Sequence, residues 1–140
     1  MKILVTGAAG FIGSHTCERL IEAGHQVWGI DNLSRGLQSN LEAIRNHPNF
    51  TFIQGDAGTM KLIEHLGIQT IVHLASQKIP RYSSGWETLQ ENSRVSNALL
   101  EFSIKKKHTT TFCFHERCLW KKSAFALYRN KRLCFRPKYH

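Results

Sequence analysis

Long apolar runs are absent from this 140-residue sequence. A membrane-spanning helix needs about 18 or more consecutive apolar residues, and no segment approaches that length, so we expect no membrane span. The apolar opening at residues 3–13 resembles a secretory signal because Lys2 precedes it. Thr6 and three glycines interrupt it too often for a signal core. We therefore expect a soluble protein of the cytoplasm.

Acidic residues are almost absent from the last part of the chain. Residues 105–140 contain 11 lysines and arginines, one acid (Glu116) and three of the four cysteines. Residues 1–104 contain 8 basic and 9 acidic residues, a net charge of −1. The overall charge of +9 therefore belongs to the tail and does not indicate a nucleic-acid-binding surface elsewhere. We predict a domain over residues 1–107 and a basic tail of different character over residues 108–140.

Short apolar runs alternate with helical patterns through the first part of the chain. Strands are predicted at 2–6, 26–30, 50–54 and 70–74, and helices at 11–23, about 41–46, about 59–66 and about 86–106. Continuous apolar runs are typical of parallel strands covered on both faces, and their alternation with helices indicates right-handed crossovers. The pattern predicts an α/β fold with a Rossmann-type doubly wound parallel sheet, of which this chain supplies the N-terminal part.

Three glycines, Gly7, Gly10 and Gly13, stand between the first predicted strand and the first predicted helix. Gly7 permits a tight turn, Gly10 lets the backbone approach a pyrophosphate, and Gly13 lets the helix pack close to the sheet. The N–H groups and the dipole at the helix start favour an anion. In this context we predict a dinucleotide-binding turn rather than an ordinary strand–helix connection.

Two carboxylates follow neighbouring predicted strands. Asp31 can accept hydrogen bonds from both ribose hydroxyls of adenosine and would repel a 2′-phosphate, which favours NAD over NADP; the nearby Arg35 leaves that choice open. Asp56 can accept from the adenine amino group or cap the helix predicted at 59–66, and both roles are compatible. His73 is predicted to be a packed strand residue rather than a catalyst.

These motifs resemble the extended short-chain dehydrogenase/reductase family. The strings VTGAAGFIGSH, DNLSRG, GD after the third strand and VHLAS after the fourth carry the resemblance, within about residues 1–107. They are most similar to the group of NAD-dependent UDP-glucose 4-epimerases and dTDP-glucose dehydratases. The resemblance implies NAD as cofactor and a nucleotide sugar as substrate, and it leaves a family-like homodimer open. Motif and resemblance together predict a cofactor site at Gly7, Gly10, Phe11, Ile12, Gly13, Asp31, Asn32, Asp56, Ala57, Leu74, Ala75 and Asn92.

The catalytic pair of that family is missing from this sequence. Its members use a Tyr-x-x-x-Lys pair in which the lysine lowers the pKa of the tyrosine. Here Tyr82 is followed at that spacing by Trp86, and Tyr128 by Arg132. We predict no catalytic residue in this chain, weak or no NAD binding and no epimerase activity; a non-catalytic module that senses NAD is an alternative. The residues present specify neither the sugar nor a choice between epimerase and dehydratase.

The tail has its own interpretation. Codons permitted for FCFHERCLW, residues 112–120, can encode Phe-Val-Phe-Met-Ser-Ala-Val-Tyr-Gly one base later, which resembles the family's fifth strand and catalytic serine region. We interpret residues 108–140 as a frameshift product, with the shift between about Lys107 and Phe112. The alternative is an evolved basic tail that binds nucleic acid. No metal site is predicted, because no common zinc spacing fits Cys113, His115, Cys118 and Cys134.

Overall fold

A computed structural model describes five stretches of the chain: residues 1–77, 85–106, 109–112, 127–129 and 132–134. The strands are β1 (Lys2–Thr6), β2 (Gln26–Asp31), β3 (Phe50–Gln54), β4 (Thr70–His73), β5 (Thr109–Phe112), β6 (Leu127–Arg129) and β7 (Arg132–Cys134). The α-helices are α1 (Phe11–Glu22) and α2 (Gly85–Lys106), and two short 3₁₀ helices occupy Gln38–Leu41 and Met60–Leu62.

The strands form one sheet in the order β3-β2-β1-β4-β5-β6-β7. β1 is parallel to β2 on one side and to β4 on the other, and β3 and β5 extend the parallel part outward. The chain thus winds in one direction from β1 to β3 and in the other from β4 to β5. This reversal beside β1 is the arrangement of a doubly wound fold, so the predicted fold class is confirmed. β6 and β7 add antiparallel pairs at the far edge.

Both faces of the parallel sheet are covered, as its continuous apolar strands predict. Successive residues of a strand point to opposite faces, so Ile3 packs in a cluster with Cys17 and Ile21 of α1. Leu4 packs on the other face in a cluster with Leu99 and other residues of α2. The two clusters fix the ends of β1 and β2 between the two helices, which is where the predicted site lies.

Two predicted helices are wrong in type and extent. The segments expected at 41–46 and 59–66 contain only the 3₁₀ helices and further turns. Bonds between residues three apart, such as Glu42 N–H to the Ser39 carbonyl and Ile44 N–H to the Leu41 carbonyl, run through the first segment. Short segments favour this tighter winding because they cannot offset the cost of starting an α-helix.

Three strands lie in the predicted tail, where the sequence indicated none. β5 pairs with β4 in parallel over four residues, although the chain before it carries a run of lysines. Of the four residues weighed for zinc, Cys113, His115 and Cys118 lie outside the described residues, and Cys134 ends β7. Tyr82 also lies outside them. The boundary at residue 107 stays a prediction.

Membrane and metal sites were both expected to be absent. In the described part of the chain, no helix has the length and hydropathy that a membrane span requires. Within the same residues, no group of three or more His, Cys, Asp or Glu side chains is placed to bind a metal ion.

Candidate dinucleotide-binding site

A cavity of about 530 Å³ opens where β1, β2, β3 and β4 end. Its walls are the turn between β1 and α1, the loops after β2, β3 and β4, and one face of α2. All of the site residues predicted from the sequence line this one cavity: Gly7, Gly10, Phe11, Ile12, Gly13, Asp31, Asn32, Asp56, Ala57, Leu74, Ala75 and Asn92. Parallel strands bring their carboxyl ends to one edge of the sheet, which is why residues so distant in sequence meet there.

The glycine turn has the geometry that its spacing predicts. Gly7 has a φ of +73°, a region that favours glycine, and its N–H donates to the carbonyl of Ile30 at 2.9 Å. A Cβ on Gly13 would lie 2.0 Å from the Gly7 oxygen, so only glycine lets the helix begin against the turn. Gly10 caps α1 without a side-chain hydrogen bond. The first N–H groups of the helix therefore lack a side-chain acceptor and lie at the cavity wall.

The carboxylate of Asp31 is buried at the end of β2 and bonded on both oxygens. Oδ2 accepts from the Ala9 N–H at 3.0 Å, and Oδ1 accepts from the Leu33 N–H at 2.8 Å. A carboxylate has about four lone-pair directions, so each oxygen retains acceptor capacity toward the cavity that it lines. Asp31 thus connects the glycine turn to the loop after β2 and can still accept further bonds.

Asp56 is bonded to its own loop and to α2. Its Oδ1 accepts from the Gly58 N–H at 2.6 Å, and its backbone carbonyl accepts from the Thr59 N–H at 2.9 Å. These bonds close a turn over residues 56–59 that precedes the 3₁₀ helix Met60–Leu62. The α-helix at 59–66 that Asp56 was expected to cap is not formed, so Asp56 stabilises this turn instead. Its Oδ2 forms an ion pair with Arg94, which no pattern in the sequence predicts.

A hydrogen-bonded chain behind the glycine turn joins β1, β4 and α2. The Thr6 hydroxyl accepts from the N–H groups of Leu74 and Ala75, each at 3.2 Å, and lies 2.6 Å from Nδ1 of His73. With both lone pairs used, the hydroxyl donates to Nδ1, which places the ring proton on Nε2, 3.3 Å from the Ser96 hydroxyl. Burial lowers the pKa of His73 to about 4, so the ring is neutral. The prediction that His73 is a packed strand residue is confirmed.

Two asparagines fix the loops of the cavity to neighbouring backbone. Asn92 accepts from the Gln77 N–H at 2.8 Å and donates to the Gln77 carbonyl at 3.0 Å, which joins α2 to the loop after β4. Asn40 donates from Nδ2 to the Ala9 carbonyl at 2.8 Å. Asn92 was predicted from the family resemblance. Asn40 was not predicted, because nothing in the pattern of residues 31–40 indicates that the loop folds back onto the glycine turn.

The apolar part of the wall lies at the start of α1. Phe11 and Ile12 line the cavity and are 76% and 56% exposed.

Gly36 also lines the cavity and was not predicted, although it ends the DNLSRG string. A Cβ there would lie 2.9 Å from Oδ2 of Asp31 and 2.7 Å from the Ala9 Cβ. Its place five residues after Asp31 is the signal that could have identified it.

Known proteins are similar to this chain in sequence and in fold. The model of the NAD dependent epimerase/dehydratase family matches residues 3–115. The chain is 44% identical over 80 residues to a UDP-glucose 4-epimerase of Mycolicibacterium smegmatis, which covers 55% of this chain and 26% of that protein. It is 40% identical over 122 residues to the uncharacterized UDP-glucose epimerase YtcB of Bacillus subtilis, covering 75% of this chain and 38% of that protein.

Solved structures of related enzymes are similar to this chain in fold. The UDP-glucose 4-epimerase of Thermotoga maritima with UDP-glucose has a TM-score of 0.69 at 35% identity, over 80% of this chain and 37% of that one. The dTDP-glucose 4,6-dehydratase DesIV of Streptomyces venezuelae, with NAD and TYD bound, has a TM-score of 0.70 at 28% identity, over 77% and 37%. This chain thus spans between about a quarter and two fifths of the length of these four relatives. The family model matches most of its residues, and the chain belongs to the NAD-dependent epimerase/dehydratase family.

Proposed function

We propose that the cavity binds the adenosine diphosphate part of NAD, and that the chain is the cofactor-binding N-terminal part of a nucleotide-sugar epimerase or dehydratase. One observation carries the proposal. Asp31, the acceptor suited to a ribose, is bonded at 3.0 Å to Ala9 inside the glycine turn suited to a diphosphate. The two groups that adenosine diphosphate presents to a protein therefore have complementary partners side by side.

The diphosphate would bind at the start of α1. Gly10 lets the backbone approach a phosphate without a Cβ in the way, and the N–H groups of the first helical turn can donate to phosphate oxygens. The positive end of the helix dipole adds an attraction of about 0.3–1 kcal/mol for a negative charge at this position. When bound, NAD supplies the hydride acceptor that the chemistry of this family requires.

The ribose would bind at Asp31, with NAD preferred to NADP. A buried carboxylate accepts hydroxyl hydrogen bonds and repels a 2′-phosphate. Arg35 also lines the cavity, and its cation would act in the opposite direction. We assign the greater weight to Asp31, because its carboxylate is buried and bonded in place, whereas the Arg35 side chain is exposed.

We expect no catalysis by this chain alone. The sequence contains no Tyr-x-x-x-Lys pair, so no residue of the chain matches the acid/base that the family uses to remove the proton of the sugar hydroxyl. His73 does not substitute for it, because its ring is buried and bonded to Thr6. We propose that the chain binds the cofactor, weakly, and does not turn over a nucleotide sugar.

A homodimer is supported by one face of α2. Trp86, Leu89, Leu100 and Ile104 are between 37% and 66% exposed. At about 100° per residue these four side chains fall within one narrow stripe, opposite the buried Val95 and Phe102. An exposed apolar stripe of this kind marks a contact surface. Sedimentation should give a dimer for the wild type and a monomer for Ile104→Glu; a wild-type monomer at high concentration contradicts the assignment.

Isothermal calorimetry with three ligands tests the proposed function. We expect NAD and ADP-ribose to bind with dissociation constants within about threefold of each other, because the adenosine diphosphate part carries the contacts. NADP should bind at least about tenfold more weakly, the equivalent of one charged hydrogen bond. Equal affinity for NADP, or no binding to protein that circular dichroism shows to be folded, would overturn the proposal.

A further inference from the structure

The guanidinium of Arg94, on α2, lies between two carboxylates at the end of the cavity formed by α2 and the loop after β3. Its Nη2 forms an ion pair with Oδ2 of Asp56. Its Nε and Nη2 donate to the two oxygens of Glu91 at 2.9 and 2.6 Å. Both carboxylates line the cavity. Arg94 is thus placed to determine how the acidic groups at this end present their oxygens.

Stability does not account for this arrangement. The side chains of Arg94, Asp56 and Glu91 are 47%, 39% and 36% exposed, and ion pairs exposed to this degree contribute little to folding because water screens them. The hydrogen bond from Arg94 lowers the pKa of Glu91 and so favours its charged form. What the cation supplies here is geometry and local neutralisation of two negative charges beside a site for an anion.

The loop after β3 leaves room for this guanidinium. A Cβ on Gly58 would lie 2.5 Å from Nη1 of Arg94, so a side chain at this position would displace the arginine from Asp56. Gly58 also donates its N–H to Oδ1 of Asp56 at 2.6 Å. Gly58 therefore donates to one oxygen of Asp56 and leaves space for Arg94, which pairs with the other oxygen.

The Asp56 carboxylate is consequently fixed at both oxygens, and its plane cannot rotate without breaking a bond. Two of its four lone-pair directions remain, and 39% of the side chain is exposed at the cavity wall. We propose that Arg94 is a positioning residue that fixes Asp56 as the acceptor for the exocyclic amino group of adenine, and so sets the preference for adenine over a base with a carbonyl there. This inference rests on the proposed function.

The test compares NAD with nicotinamide hypoxanthine dinucleotide, which carries a carbonyl in place of the adenine amino group. A carboxylate that accepts from the amino group opposes the carbonyl oxygen, so the wild type should prefer NAD by about tenfold or more. Arg94→Met should reduce the preference below about threefold, and Arg94→Lys should retain part of it. Arg19→Met is the matched control, because Arg19 also pairs with a glutamate three residues away on a helix and does not line the cavity.

A double-mutant cycle separates positioning from a general effect on folding. Asp56→Asn can donate to the carbonyl of hypoxanthine, so it should reverse the preference. Adding Arg94→Met to Asp56→Asn should then change the preference less than about twofold, because residues that act through one another do not add. A purely structural arginine would lower both affinities equally and leave the wild-type preference unchanged, which would overturn the inference.

The failure of the proposed function and the failure of this inference give different results. If the wild type binds neither dinucleotide, the proposed function fails and the inference with it. If it binds NAD and Arg94→Met keeps the preference, the inference alone fails.

Discussion

The Asp31 carboxylate accepts a hydrogen bond from the backbone N–H of Ala9 at 3.0 Å. This bond joins the end of β2 to the glycine turn that follows β1, so the proposed ribose acceptor and the proposed diphosphate-binding turn cannot move independently. A second bond from Leu33 at 2.8 Å fixes the other oxygen. These two hydrogen bonds hold the Asp31 carboxylate in place before a ligand binds. Ligand binding therefore does not have to offset the entropy cost of ordering this side chain.

Asp31→Asn should weaken NAD binding by about 10- to 150-fold. The amide retains one acceptor oxygen and loses the charge, and a hydrogen bond to a charged group contributes about 1.5–3 kcal/mol. The variant should also discriminate less against NADP, because the repulsion of the 2′-phosphate is removed. Calorimetry measures both effects, with the exposed Glu42→Gln as the control. Unchanged NAD affinity in Asp31→Asn would show that the ribose lies elsewhere.

Gly13→Ala should abolish NAD binding and destabilise the fold. The new Cβ would lie 2.0 Å from the Gly7 oxygen, so α1 must move away from the turn; inserting a methyl group into a packed region costs about 1–3 kcal/mol. Gly85→Ala is the matched control, because nothing lies within 4 Å of its Cβ position. Urea unfolding and calorimetry measure the two effects. A Gly13→Ala protein as stable as Gly85→Ala would contradict the close packing of α1 on the turn.

The stability of the fold should fall as the pH drops from about 6.5 to about 4. Burial lowers the pKa of His73 to about 4, below its unfolded value of about 6.5. In that window the unfolded chain binds a proton that the native chain does not, so His73 costs up to about 3 kcal/mol at the acidic end. Above pH 6.5 this stability is fully present.

Urea unfolding at pH 7 and pH 5 measures this loss. His73→Gln should lower stability at pH 7, because the bonds to Thr6 and Ser96 change, and should flatten the pH dependence across the window. His65→Gln is the control, since His65 is exposed and should leave the slope as it is in the wild type. The same slope in His73→Gln as in the wild type would assign the pH dependence to other groups.

The DNA encoding residues 107–120 should contain a second reading frame with family character. We propose that the chain departs from the family pattern after about residue 107, and that the frame one base later encodes Phe-Val-Phe-Met-Ser-Ala-Val-Tyr-Gly across residues 112–120. Sequencing the gene from Lys105 to about fifty codons beyond His140 decides the question. A neighbouring frame without that peptide, or without a later Tyr-x-x-x-Lys pair, would contradict the frameshift.

The glycine turn and Asp31 could be predicted from the sequence because their geometry is local. Three glycines at fixed spacing between a strand and a helix predict a tight turn at the helix start, and an acid at the end of the next parallel strand must reach the same edge of the sheet. The residues that the resemblance added, such as Asn92, line the same cavity.

The remaining contacts depend on how loops return to the site. Arg94 pairs with Asp56, which lies 38 residues earlier in the sequence, and Asn40 donates to Ala9, which lies 31 residues earlier. No periodicity in the sequence predicts such pairs. The 3₁₀ segments were mistaken for α-helices because apolar residues three positions apart lie on one face of either kind of helix. β5 was missed because threonine-rich residues 109–112 follow a lysine run, and its pairing with β4 is a tertiary choice rather than a local one.

A crystal structure of the chain with ADP-ribose tests the central claim most directly. The account predicts phosphate oxygens at about 3 Å from the N–H groups at the start of α1, and the adenosine ribose hydroxyls at similar distance from the Asp31 carboxylate. The claim is contradicted if the diphosphate lies away from Gly7, Gly10 and Gly13, or if Asp31 leaves Ala9 and points to solvent.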